Sequence, residues 1–321
     1  MRSTWSALCL VVTLLLHHSS GALAADYPTK PVRIVVQVAA GSSIDISARI
    51  IADYLSRMWG QQVIVFNQPG ASGALAVHTT NAAEPDGYTL LMAASSIFVV
   101  LPELQKNVDI SKLEPIGFIS EQPMVFATTP NSTFKSIPEL VAYSKTRQGG
   151  VNVGVITRGG MSHLTAEWFR TRSGAAITFI YYQGTQQALT DLMGGRIDMV
   201  VETLSGMLGA ISGKKIDVLA VASASRLPNL PDKLTVGETI PGFAASGWTA
   251  LVATPGTPAS ITQKISEDLR KIVTNPDVVK RFAELGSFAR TMTPQELAGH
   301  IHREQQQWKP ILDQVGIKEQ Q

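Results

Sequence analysis

The sequence predicts an α/β protein of two lobes with a ligand cleft between them, and three observations predict it. β-branched apolar runs alternate with segments of helical spacing in the order strand, helix, strand, the α/β pattern with a mostly parallel sheet. The pattern restarts near Val125, so two units of similar length precede a set of tail helices. The chain has 321 residues, 45% hydrophobic and only 16% charged, which excludes disorder and suffices for two cores of common domain size.

Residues 1–24 read as a signal peptide. Arg2 is the positive start, Ala7 to Leu16 the apolar stretch, and Ala22-Leu23-Ala24 the small-x-small cleavage site. The apolar stretch is shorter than the ~20 residues of a membrane-spanning helix. Cleavage after Ala24 is therefore expected, with export to the periplasm. The single cysteine, Cys9, lies inside this peptide. The exported chain then has no thiol, no disulfide and no cysteine-bound metal.

In the first unit Val32 to Val36 reads as a buried parallel strand, broken at Gly41-Ser42-Ser43. Ile44, Ala48, Ile51, Ala52, Leu55 and Trp59 then follow helical spacing. Gln62 to Phe66 is a second strand, Pro69 to Gly73 a turn, the segment through Val77 and Ala83 a helix, and Thr89 to Ala93 a third strand. In the second unit the strands are Val125 to Thr128, Val151 to Ile156, Thr178 to Ile180, Asp198 to Val201 and Asp217 to Ala222. Its helices begin at the Ser136–Glu139 capping box and run over Ser162 to Arg172, Thr185 to Met193 and Leu204 to Ile211. Trp248 to Ala253 is a last strand, and Pro258 opens a long helix. Thr293 to Glu296 is a second capping box, opening an amphipathic helix toward Trp308 and Leu312.

Lys plus Arg number 27 against 25 Asp plus Glu, and no block of like charges occurs, which argues against a nucleic-acid or anionic-membrane partner. Enzyme signatures are missing as well. Gly41 to Asp45 is not the dinucleotide fingerprint, and there is no phosphate-loop lysine motif. Gly160-Met161-Ser162-His163-Leu164 lacks the closing glycine of a nucleophile elbow. His300 and His302 are two apart on a helix and face different directions, so they do not form a metal pair. No catalytic residue, metal or cofactor is expected, and a secreted hydrolase is a poor reading.

Three glycine-rich loops remain. Gly41-Ser42-Ser43 joins a strand to a helix, where amide N–H groups and the positive end of the helix dipole receive anions. Capping of the helix by Ser43 explains that loop equally well. Pro69 to Gly73 and Thr157-Arg158-Gly159-Gly160-Met161-Ser162-His163 are the comparable turns. Such turns gather outside the carboxyl ends of strands, where α/β proteins bind ligands, and a small carboxylate is the natural guest.

Across the exported chain, in order, the segments Asp26 to Val36, Asn67 to Gly73, Pro85 to Leu91, Ser162-His163-Leu164, Tyr182-Gln183-Gly184, Gly194 to Asp198, Leu230-Pro231 and Pro255 to Pro258 resemble the Bug-type periplasmic receptors of tripartite tricarboxylate transporters. The resemblance implies a Venus-flytrap fold of the type II kind. One lobe would take residues 25–123 and 249–321 and the other 124–248. It implies a solute receptor for a dicarboxylate, an aromatic carboxylate or an amino acid, acting as a monomer with the membrane subunits of a secondary transporter. Presentation of the bound solute to a membrane signalling protein is the alternative. The ligand residues it implies are Gly41, Ser42, Ser43 and Asp45, then Ala71, Ser72 and Gly73. From the second lobe come Thr157, Gly160, Ser162, His163, Tyr182, Gly184 and Glu202. Gln37, Ser42-Ser43 and Gln183 depart from the family pattern, and Glu202 stands where relatives often carry Asp or Asn. An acid beside an anionic ligand repels it unless the acid meets an ammonium group or is protonated. A surface residue on the hinge side is an equally good reading of Glu202.

Overall fold

The computed structural model describes residues 27–156 and 158–316. The expected signal peptide with its cleavage site, and Thr157, lie outside the described residues.

The first lobe begins with β1 (Val32–Val36), α1 (Ser43–Trp59), β2 (Val63–Asn67), α2 (Ala74–Asn81), β3 (Thr89–Ala94), α3 (Ser95–Val99) and α4 (Leu101–Leu104). α1 starts at Ser42, whose hydroxyl accepts from Asp45 N, and stops at Gly60 in the left-handed region. Its stripe of Ala48, Ile51, Ala52 and Leu55 is buried against β1, as the 3.6-residue spacing predicts. β3 is buried along nearly its whole length because helices cover both faces, whereas β2, at the sheet edge, leaves Ile64 and Phe66 exposed.

β4 (Glu114–Thr128) then carries the chain out of this lobe. The second lobe contains α5 (Ile137–Thr146), β5 (Val151–Ile156), α6 (Met161–Ser173), β6 (Ile177–Tyr182), α7 (Thr185–Met193), β7 (Met199–Thr203), α8 (Leu204–Ser212) and β8 (Asp217–Val221). β9 (Ser246–Ala253) returns to the first sheet, followed by α9 (Ala259–Val273), α10 (Pro276–Glu284), β10 (Phe288–Ala289) and α11 (Pro294–Val315). The main path of strands runs β2-β1-β3-β9-β4-β7-β5-β6, with β8 and β10 also paired to β4.

Two expectations are corrected here. The sheet is mixed rather than mostly parallel: β2-β1-β3 and β6-β5-β7 are parallel, but every pairing made by β4 or β9 is antiparallel. These two strands are the passages between lobes, so each runs against its neighbours. The strand expected at Val125 to Thr128 starts eleven residues earlier, at Glu114. Pro115, Gly117, Ser120 and Pro123 break the apolar pattern of that first half, and two register shifts against β9 accommodate them.

α11 spans the junction. Leu297 is buried in the first lobe beneath Trp248, while Trp308, Ile311 and Leu312 enter the second-lobe core beside Trp168 and Phe243. Its Thr293–Glu296 capping box forms as the sequence predicts. Between the two ends, Gln305 donates to Phe98 O at 3.0 Å and Gln307 to Ala244 O at 3.2 Å.

Candidate ligand site

Strand directions alone set the two lobes' loops against each other. β4 crosses between lobes near Pro123 and Met124, pairing with β9 before that point and with β7 after it. β1 and β3 run in the sense of β4, because β3 is antiparallel to β9 and β9 to β4. Their carboxyl ends therefore point toward the second lobe. β7 runs against β4 and β5 alongside β7, so their carboxyl ends point back toward the first. A cleft between carboxyl ends is where α/β proteins place ligands.

In the first lobe the turn after β1 is held by one carboxylate. Asp45 is 1% exposed and accepts from Gly41 N at 2.8 Å, Arg49 Nε at 3.0 Å and Asn67 Nδ2 at 2.8 Å. Burial pushes its carboxyl up, but the bonds from Arg49, Gly41 and Asn67 outweigh that and hold it below the usual carboxylate range. Gly41 takes φ +84, which lets the chain turn sharply into α1. Ser42 rather than Ser43 is the cap, correcting that alternative, and the first-turn amides of Ser43 and Ile44 have no intrahelical acceptor. Gly41 N is taken by Asp45, so the amides of Ser43 and Ile44 and the hydroxyl protons of Ser42 and Ser43 are the donors left at the start of a seventeen-residue helix.

The second loop carries four consecutive residues of positive φ: Gly70 at 131, Ala71 at 47, Ser72 at 55 and Gly73 at 98. Left-handed non-glycine residues cost on the order of 1–3 kcal/mol each and persist only where the surroundings fix them. Gln105 Nε2 holds Ala71 O at 3.0 Å, and a Cβ on Gly73 would lie 2.4 Å from Ile97. Gln37, the departure after β1, packs beside Gly73 and accepts from Ala94 N, tying the ends of β1 and β3 to this loop.

In the second lobe, Ser162 and His163 are used inside the turn. The buried Ser162 hydroxyl donates to Val201 O and accepts from Ile156 N, joining the ends of β5 and β7. His163 Nδ1 accepts from Gly159 N at 3.1 Å, so the neutral ring carries its proton on Nε2 toward Tyr181 Oη at 3.2 Å. Burial pushes its pKa down to about 4. Gly160 caps α6 and Gly184 caps α7 through backbone geometry alone, without a side-chain bond. Tyr182 donates to Asp191 at 2.8 Å, and burial first, then that bond, pushes the phenol up to about 12. Glu202 lies at the carboxyl end of β7, between the starts of α7 and α8. Its Oε1 accepts from the amide and hydroxyl of Thr203, both at 2.8 Å, and burial pushes its carboxyl up despite those bonds.

The structure therefore gathers the expected residues into two facing groups. Gly41, Ser42, Ser43, Asp45, Ala71, Ser72 and Gly73 form one; Gly160, Ser162, His163, Tyr182, Gly184 and Glu202 form the other. Gly41, Ser42, Asp45, Ser162, His163 and Tyr182 spend polar atoms shaping their own loops. Sequence reasoning passed over Arg49, Asn67, Gln105 and Thr203, which hold these loops. Arg49 was legible as the i+4 partner of Asp45; Gln105 leaves no local signal.

A family model, tripartite tricarboxylate transporter family receptor, matches residues 47–317. Protein BugT of Bordetella pertussis is 32% identical over 301 residues, covering 92% of this chain and 92% of BugT. The structure of R. palustris Rpa4515 with adipate aligns with TM-score 0.80 at 27% identity, covering 92% of this chain and 100% of that one. MatC from Rhodopseudomonas palustris with bound malate aligns with TM-score 0.74 at 26% identity, covering 89% and 100%. The chain belongs to the tripartite tricarboxylate transporter family receptors, the Bug-type periplasmic solute-binding proteins.

Proposed function

We propose that this receptor captures a small carboxylate in the cleft and delivers it, without turning it over, to the membrane subunits of a tripartite tricarboxylate-type transporter. It acts as a monomer, exported and cleaved after Ala24. The observation that carries this reading is the Gly41–Ser43 turn at the carboxyl end of β1, where the helix-start amides of Ser43 and Ile44 have no intrahelical acceptor. A carboxylate there is received by N–H donors and a helix dipole without an arginine. The adipate and malate of the two aligned structures agree with that chemistry.

Both lobes supply loops, so a ligand touching both favours closure by its differential affinity for the closed state. Closure bends the chain at the Pro123–Met124 passage and at Ala245–Ser246. The test is a thermal-shift screen of the exported form against mono- and dicarboxylates and amino acids. A ligand at a hundredfold excess over Kd stabilises by ~2.7 kcal/mol. A rise of several degrees with one or a few acids supports the reading; no shift with any of them contradicts it.

A further inference from the structure

Among the described residues three acids are nearly fully buried, and each has a cation. Asp45 meets Arg49 at 3.0 Å, Asp268 meets Lys264 at 2.7 Å and Lys271 at 3.0 Å, and Glu167 pairs with Arg170. The half-buried Glu304, at the lobe junction, receives the indole N–H groups of Trp248 and Trp308. Glu202, half-buried at the carboxyl end of β7, differs from all of them. It has no ion pair among the described residues, its Oε1 is occupied by Thr203, and no described group donates to its Oε2.

The surroundings of Glu202 fix its place. Thr203 Oγ1 accepts from Ser205 Oγ and Gly206 N, which leaves its own proton for Glu202 Oε1. A Cβ on Gly206 would touch Glu202 Cγ at 3.3 Å and Thr185 Cγ2 at 3.4 Å, so the side chain is wedged between two helix starts. β7 aims this corner toward the first lobe, opposite the carboxylate-binding turn. Partial burial of the unpaired carboxylate disfavours its charged form, which a cation alongside reverses.

We infer that Glu202 is the subsite for a positively charged group of the ligand: the carboxylate this receptor takes also carries an ammonium group, as an amino acid does. This rests on the carboxylate reading above and narrows it. A plain dicarboxylate places like charge beside Glu202, whereas an ammonium donates to Oε2 and neutralises it.

The test is calorimetric titration of the exported form with amino acids and with the matched unaminated acids of two to six carbons, such as L-glutamate against glutarate. The aminated member binds tighter by about tenfold to 150-fold, the range for one charged hydrogen bond. Glu202→Gln removes that preference and melts no lower than the wild type at neutral pH, because it deletes a half-buried, unpaired charge. The wild-type ratio needs no variant and stands if the variant fails to fold. Plain acids that bind as well as or better than aminated ones overturn the subsite alone. So does plain-acid affinity that strengthens tenfold per pH unit of acidification, since Glu202 then shares a proton with the ligand. Failure of every acid in both series overturns the carboxylate reading and the subsite with it.

Discussion

The turns after β1 and β5 occupy equivalent positions in the two lobes, yet they are fixed by opposite chemistry. Asp45 anchors the first by charge, with Arg49, Asn67 and Gly41 N on one carboxylate. Ser162 and a neutral His163 anchor the second, with bonds to Val201 O, Ile156 N, Gly159 N and Tyr181. The first arrangement leaves the helix-start amides of Ser43 and Ile44 without an intrahelical acceptor; the second draws its most reactive-looking side chains inward. A serine beside a histidine is therefore no sign of chemistry here, and each polar residue has to be judged by which of its atoms are already used.

The contrast is broken most severely at Asp45. Asp45→Ala strips three donors of their acceptor and lowers stability on the order of 3 kcal/mol, since bonds to a charged group contribute ~1.5–3 kcal/mol and Arg49 can turn to water. Ligand affinity falls with it, because Gly41 loses its anchor. Urea unfolding and calorimetry measure both, and an unchanged midpoint contradicts the charged anchor. His163→Ala leaves Gly159 N without its partner and costs about 1–3 kcal/mol, read from the same unfolding curves.

pH sharpens the comparison. An unfolded histidine takes a proton near 6.5, but native His163 refuses it until about 4, so the unfolded state binds more protons across that window. Stability is full above pH 6.5 and declines as pH falls toward 4; His300, also pushed down to about 4 by burial, adds the same sign. Melting curves from pH 7 to 4.5 follow that decline, and it is shallower in His163→Gln. The Asp45 turn contributes its loss only at lower pH, its carboxyl being held below the usual range. A variant slope equal to the wild type contradicts the neutral anchor. The smallest effect belongs to Ser42→Ala, which loses a helix cap worth ~1 kcal/mol and lowers the melting temperature by a few degrees.

Much of the fold was legible because periodicity is local. Ala48, Ile51 and Leu55 announce one buried helix face, and Val32 to Val36 a central strand. The first half of β4 was not, since Pro115, Gly117 and Pro123 sit in a strand stabilised by a partner more than a hundred residues away. The loops of the site were legible from glycine and serine before a helix start. Their internal roles were not: Ser162 reaches Val201, His163 reaches Tyr181 and Asp45 reaches Asn67, and only the folded chain makes those neighbours. That α11 enters both lobes was likewise invisible, because amphipathicity shows a buried face without showing what buries it.

The central claim, that the first turn holds the carboxylate through backbone donors, is tested most directly at Gly41. Calorimetry on Gly41→Val uses whichever acid stabilises the wild type most. Nothing lies within 4 Å of a Cβ at this exposed position, so the variant folds; its φ of +84 is what a β-branched residue does not adopt, so the turn changes shape. The account predicts at least a hundredfold loss of affinity in a protein that melts within a few degrees of the wild type. Wild-type affinity in the folded variant would place the carboxylate elsewhere and remove the first turn from the site.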